Sequence, residues 1–314
     1  MPATPAVLQA RARIRRAVRD WFDGQGFVEV ETPARVRSPG QEVHLDAIAA
    51  GGAHWLITSP EYHLKKLVAA GLPRIYELCR CWRADESGPH HATEFTMLEW
   101  YRAAAPLEAL ADDCEALVRL ALRAAGRQPE AELEAPFTRT TVRELFADFA
   151  GIELGGDEDP VTLRGKAEAA GISVGGATAW DDIFYQVFLD RVEPALAAEG
   201  PTFVFDWPAP LGALARPHPR DPRLVERFEL YANGLELANA FGELTDPVEQ
   251  RRRFQEEAGI RATRGLPAYP LDEALLEALP RMPPTAGIAL GFDRLAMLAL
   301  GASSIDDVLA FTPP

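Results

Sequence analysis

The segment GIALGFDRLAML (residues 287–298) puts a cation where helix physics disfavours one. Leu295, Leu298 and Ala299 recur at helical spacing before Gly301, and Asp293 suits an N-cap, so Arg294 is predicted in the first turn. The partial positive charge of the helix N-terminus repels it there. A bound anion shared by Arg294 and the helix N-terminus would resolve the conflict. Gly287 and Gly291 in the preceding apolar run would let a flat ligand approach the backbone. The plainer alternative is a solvated arginine behind a glycine-loosened strand.

Two further segments carry groups of the same kind. In CRCWRADESGPHHATEFTMLEWY (residues 79–101) Arg83 ends one strand, a charged turn follows, and His91, Glu94, Phe95, Glu99 and Tyr101 lie on the return. Phe95, Glu99 and Tyr101 are odd-numbered and share one face, so a cation, an aromatic ring and an acid would meet on one side of a sheet. An ordinary hairpin with a charged tip is the alternative. In GLELANAFGELTD (residues 234–246) Glu236 and Glu243 flank a stretch of small and apolar residues. Such acids suit a magnesium ion carrying triphosphate oxygens, or are simply solvated edge residues. Gly171-Ile-Ser173-Val-Gly175 matches a serine-hydrolase elbow by letter, but it follows a helix rather than a strand, and Gly171 reads as that helix's C-cap.

The elements that must position these groups follow from periodicity. Val7, Ala10, Ile14, Ala17 and Trp21 predict a helix over 7–23, and GFVEVETPARV a strand broken at Pro33. HWLITSPEYHLKKLVAAGL reads as strand, turn and helix ending at Gly71; 74–83 and 93–101 read as strands, and 105–126 as a helix. Residues 127–180 hold clustered glycines, acids and prolines and read as an insertion. A helix near 181–198 precedes PTFVFDWP, in which Phe203, Phe205 and Trp207 alternate. RFELYANGLELANAF turns at Asn233-Gly234, a strong hairpin signal. Helical sequence 246–258 and the stretch 271–279 complete the chain before the opening segment. Hairpins without a regular βαβ repeat point to an α+β fold with a mainly antiparallel sheet flanked by helices.

Composition excludes several classes. The 314 residues are 47% hydrophobic and carry a net charge of −15, against the basic footprint of a protein that holds nucleic acid by its phosphates. The run RARIRRAVR (residues 11–19) is a local exception. Cys79, Cys81 and Cys114 cannot close a disulfide framework and suit reduced thiols in a cytoplasm. The six histidines make no zinc spacing with them. No run of 18 apolar residues suggests a membrane span.

Read together, the three segments resemble the motifs of class II aminoacyl-tRNA synthetases. GFVEVETP is similar to the first motif, a dimer-interface helix and strand ending in proline; Arg83 with its loop to the second; GIALGFDR to the third. The similarity runs from about residue 8 to the C-terminus. It is greatest with the lysyl branch through TSPEYHLKKL, EFTMLEWY and ELANAFGELTD, and greater still with truncated lysyl-synthetase paralogues that ligate (R)-β-lysine to elongation factor P. The resemblance implies one catalytic domain over 1–314 with an insertion at about 127–180. It implies ATP-binding by Arg83, Ala84, Asp85, His91, Ala92, Phe95, Glu236, Leu237, Gly291 and Arg294. Arg83 would stabilise charge on the α-phosphate, His91 and Arg294 would grip the β- and γ-phosphates, and Phe95 would stack on adenine above Gly291. Glu236 and Glu243 would hold Mg2+. Ser59, Pro60, Glu61, Glu99, Tyr101, Glu243 and Ala289 would line the amino-acid site. Two departures stand out: Arg83-Ala84-Asp85 replaces Arg-Asn-Glu, and His91-Ala92-Thr93-Glu94 replaces His-Asn-Pro-Glu.

Lysyl-tRNA synthetases carry an N-terminal anticodon-binding domain for which this sequence has no room, so tRNA is an unexpected acceptor and a protein a better one. The expectation is a cytoplasmic homodimer that activates (R)-β-lysine, or lysine, with ATP and transfers it to a lysine of elongation factor P. A stand-alone amino-acid-activating enzyme and an inactive regulatory paralogue remain the alternatives.

Overall fold

The computed structural model describes residues 3–84, 86–128 and 131–312. They divide into two compact units, Met1–Pro129 with Glu243–Pro314, and Glu130–Gly242.

The first unit opens with α1 (Pro5–Gly24), started by Pro5 and by Thr4 Oγ1 accepting the Val7 N–H. Its buried stripe is Ala10, Ile14, Val18 and Phe22, because Phe22 stacks on Tyr76 at 4.3 Å; Val7, Ala17 and Trp21 are only half-buried. The stripe expected from the sequence is thus rotated by about one residue. Short strands β1 (Val28–Glu29), β2 (Arg35–Val36) and β3 (Trp55–Leu56) lead to α2 (Glu61–Ala69). The long hairpin β4 (Arg74–Trp82) and β5 (Glu94–Ala103) follows, then α3 (Glu108–Ala125), closed by Gly126 in the left-handed region.

The second unit comprises α4 (Ala131–Glu134), β6 (Thr138–Thr141), α5 (Val142–Leu145), α6 (Pro160–Ala169), α7 (Trp180–Val187), α8 (Glu193–Ala198), β7 (Thr202–Pro208), β8 (Leu224–Ala232) and β9 (Leu235–Gly242), with π-helical turns at Phe146–Ala150 and Phe188–Val192. β7, β8 and β9 pair antiparallel, and β6 joins β7 in parallel. The insertion expected over 127–180 is only the first part of this unit. Its helices share one core with the strands after it: Phe146, Phe184 and Phe188 pack with Val204, Trp207 and Tyr231. The alternation expected in β7 is broken where Asp206 adopts φ 58° at a bulge. Asn233 and Gly234, at φ 52° and 70°, make the β8–β9 turn read from the sequence. Gly171, at φ 73°, lies just past the end of α6 with no strand before it, so the hydrolase elbow has no structural context.

The chain returns to the first unit through α9 (Pro247–Thr263), capped by Asp246, then α10 (Glu273–Ala278), β10 (Thr285–Gly291) and α11 (Phe292–Leu300). β10 lies against β5, antiparallel, giving the order β1-β4-β5-β10 with β1 parallel to β4. Both units therefore carry a mostly antiparallel sheet covered by helices, an α+β architecture. Among the described residues no helix is long and apolar enough to cross a membrane.

Candidate active site

β5 is the backbone of the site. Phe95, Met97, Glu99 and Tyr101 project from one face, with Cα partners Cys81, Cys79, Glu77 and Ile75 on β4 and, from Met97 onward, Gly291, Ala289 and Gly287 on β10. At about 3.4 Å per residue, Phe95 and Glu99 stand roughly 14 Å apart. One end of this face is cationic and the other acidic.

At the cationic end, Arg83 N donates to Thr93 O (3.0 Å) and Ala84 N to Asp46 O (2.7 Å), pinning the loop at its root. The Arg83 guanidinium lies 5.1 Å over the Phe95 ring and pairs with Glu86 at 3.5 Å. Its Nε is buried without a hydrogen-bond partner. An orphaned buried donor is costly, and a phosphate oxygen is the partner it suits. Phe95 packs on Val36, Ile57, Cys81 and Met97 beside Ala289.

Arg294 occupies the first turn of α11, as the sequence predicts. The N-cap, however, is Gly291 rather than Asp293, whose carboxylate is drawn sideways to β5. Arg294 Nε donates to His90 O (3.1 Å) and Nη2 to His91 Nε2 (2.7 Å); a guanidinium can only donate, so Nε2 accepts. The two glycines of β10 separate here. A Cβ on Gly287 would stand 2.1 Å from Glu243 Oε1 and 2.3 Å from Tyr101 Cε1, so the protein's own side chains, not a ligand, fill that space. A Cβ on Gly291 would meet only the Arg294 side chain, at 3.5 Å. No protein atom requires Gly291 to be bare. Of the other residues that the resemblance assigns to a nucleotide, Ala92 is buried, His91 exposed and Asp85 outside the described residues; Glu236, half-buried, and Leu237, buried, lie on β9 of the second unit.

The acidic end is a closed network. Ser59 Oγ and Tyr101 OH donate to the two oxygens of Glu99 at 2.5 and 2.7 Å, and Glu61 N donates to Ser59 Oγ at 3.1 Å. Pro60 is the N-cap of α2, so Glu61 stands in its first turn. Lys65, one turn on, bridges Glu61 and Glu243, each at 2.6 Å. Glu99, Lys65 and Glu243 are each 1% exposed. Burial, then the charge of Glu61, pushes the Glu99 carboxyl up to about 8. Burial lowers Lys65, but Glu243 and Glu61 outweigh it and hold the ammonium charged. Glu42 Oε2 is buried nearby without a partner. Four carboxyl groups, Glu42, Glu61, Glu99 and Glu243, thus stand against one ammonium, an excess of acid that suits a further cation.

Lys65 and Glu42 escaped the sequence reading. Lys65 carried a signal, the Glu61–Lys65 spacing of four on one helix; Glu42 carried none. Among the described residues no group of three or more histidines, cysteines or acids could hold a metal.

The class of protein these elements define is a class II synthetase core. A profile of the tRNA synthetases class II (D, K and N) matches residues 2–313, and the chain belongs to that family. It is 41% identical over 322 residues to the elongation factor P–(R)-β-lysine ligase of Erwinia tasmaniensis, covering 99% of this chain and 96% of that one. The ligases of the same name from Salmonella typhi and Vibrio cholerae are 41% and 39% identical, covering 97% and 99% of this chain and 94% and 97% of their own.

Proposed function

We propose that the protein is an ATP-dependent ligase that activates (R)-β-lysine, or lysine, and transfers it to a lysine side chain of elongation factor P in the cytoplasm. The observation that carries the reading is one sheet face with buried acids clustered around Glu99 at one end and anion-seeking arginines at the other. Its extension to a protein acceptor draws on relatives of that name matching nearly end to end.

In the first step a donor carboxylate oxygen attacks the α-phosphorus of ATP. The bond from phosphorus to the β-bridging oxygen breaks, giving the acyl-adenylate and pyrophosphate. Arg83, with its spare Nε, binds the α-phosphoryl oxygens as their charge grows; Arg294 and His91 hold the leaving pyrophosphate; Phe95 stacks on adenine and the bare Gly291 admits its other face. Ala84 and Ala92 border the nucleotide, and the resemblance adds Asp85 and Leu237. Glu99, Tyr101, Ser59, Pro60 and Glu61 receive the donor's terminal ammonium, and Ala289 abuts its carbon chain. Mg2+ binds through one or two carboxylates plus phosphates, so it needs no three-ligand cluster. By the resemblance Glu236 is the proposed carboxylate, and bound there the ion would screen triphosphate charge; Glu243, paired with Lys65 and packed against Gly287 and Tyr101, belongs with the amino-acid residues instead. In the second step the neutral ε-amine of the acceptor lysine attacks the acyl carbon, AMP departs, and the amine's proton is released.

We further propose a homodimer through residues 8–35, where Trp21 is half-buried and Val28 is 50% exposed. Light scattering at micromolar concentration reads this directly. Mass spectrometry of elongation factor P incubated with the protein, ATP-magnesium and each lysine isomer tests the reaction: the expected product gains one lysyl residue. Unmodified factor beside charged tRNA would establish a minimal synthetase instead, and absence of pyrophosphate exchange an inactive paralogue.

A further inference from the structure

The basic run of α1 plays no part in the reading above, yet its first member, Arg11, turns inward. Arg11 Nη2 donates to Asp293 Oδ1 and, at 3.3 Å, to Thr96 Oγ1, while the guanidinium lies 4.9 Å over the Phe292 ring. Asp293 is 1% exposed, and its second oxygen accepts the Thr96 backbone N–H at 2.7 Å.

That amide has a particular place in the sheet. β10 pairs with β5 from Thr285 opposite Ala103 to Gly291 opposite Met97, then turns into α11. Thr96 is the first β5 residue beyond the end of its partner strand. The Asp293 carboxylate supplies the acceptor that a longer β10 would have offered. It thereby splices β5 to the first turn of α11, and the residues beside the splice are Phe95 and Arg294. A carboxylate this buried is strongly disfavoured unless a cation compensates it, and Arg11 is that cation.

We infer that Arg11 is a positioning residue for the nucleotide: by compensating Asp293 it holds Phe95 and Arg294 in mutual register, from a helix that carries neither. The inference rests on the proposed ATP-dependent activation. It explains why a helix expected only at a subunit interface sends an arginine into the core.

The test is pyrophosphate exchange by R11M, R11K and R11M/D293N, with ATP and the amino-acid donor titrated separately, and calorimetric titration of ATP alone. For R11M the KM for ATP is expected to rise about tenfold, within the roughly 100-fold that an ångström of misplacement can cost. The donor KM, set at Ser59, Glu99 and Tyr101, is expected to stay at the wild-type value. R11M/D293N should recover most of the ATP affinity, because asparagine still accepts from Thr96 N–H and leaves no charge to bury. R11M with an unchanged KM for ATP, an equal rise in both KM values, or a double variant worse than R11M would overturn the inference. Should R11M fail to fold by circular dichroism, R11M/D293N and R11K decide: both must fold, and R11K must show the same ATP-selective rise in smaller measure. A wild-type protein without exchange would sink the proposed function instead, a result separable from any of these.

Discussion

The Glu99 carboxyl, pushed up to about 8 by burial and by the charge of Glu61, makes donor binding pH-dependent in a direction that can be worked out. Below that value the free pocket holds Glu99 neutral, and a neutral acid attracts an ammonium poorly. The donor binds the ionised form, so its apparent KM carries the factor 1 + 10^(pKa − pH). With a pKa near 8 that factor is about 11 at pH 7, about 2 at pH 8 and near 1 at pH 9. KM for the donor should therefore fall about tenfold from pH 7 to pH 9, before an ordinary lysine-type ammonium with a pKa of about 10.4 loses its proton. By reciprocity the donor lowers the Glu99 pKa, and binding near pH 7 releases a proton that buffers of different ionisation enthalpy reveal in calorimetry. Steady-state pyrophosphate exchange at saturating ATP is the assay, with Glu99→Gln as the control whose donor KM should be high and flat. A flat wild-type profile, or one that persists in Glu99→Gln, would refute the assignment of Glu99 to the ammonium.

Replacing Arg83 or Arg294 with alanine should cut exchange by about 100- to 1,000-fold with the circular dichroism spectrum unchanged, since each removes a charge-assisted contact to phosphate. Ala289→Gly should lower the preference for β-lysine over α-lysine at least several-fold, from a ratio that one methyl limits to about 10–200, read as relative kcat/KM in exchange. Lys65→Met should cost about 3–5 kcal/mol in denaturant unfolding because it strands Glu61 and Glu243 in the interior, whereas Lys65→Met with Glu243→Gln should regain part of that loss.

Long periodic elements were legible in the sequence. The strands around Arg83, the Asn233-Gly234 turn and the helix ending at Gly301 all depend on local patterns that the fold has no reason to override. What escaped depends on neighbours that sequence spacing does not reveal. Asp293 reads as an N-cap, but its carboxylate is taken by a β5 amide and an α1 arginine, from nearly two and nearly three hundred residues away. Gly287 reads as room for a ligand, but Tyr101 and Glu243 fill it. The second unit's extent was hidden for the same reason, since its helices and strands look local until their shared core is seen. Candidates such as Arg83, Phe95 and Glu99 stand out in the sequence by residue type, whereas supports such as Glu42 and Asp293 are set by fit.

β5 has β4 on one side and β10 on the other, and the two neighbours arrive at very different times. β4 precedes it on the ribosome; β10 emerges roughly 180 residues later. At about 5–20 residues per second, the central strand of the catalytic sheet waits on the order of ten to forty seconds with one edge open. Six consecutive residues of that strand, Thr96–Tyr101, are buried in the finished protein, so the waiting edge is both unpaired and largely apolar, the combination that templates intermolecular pairing. The nascent chain thus has its greatest need of a chaperone while the Glu130–Gly242 unit is being made, and a truncation before Thr285 would leave that edge permanently uncovered.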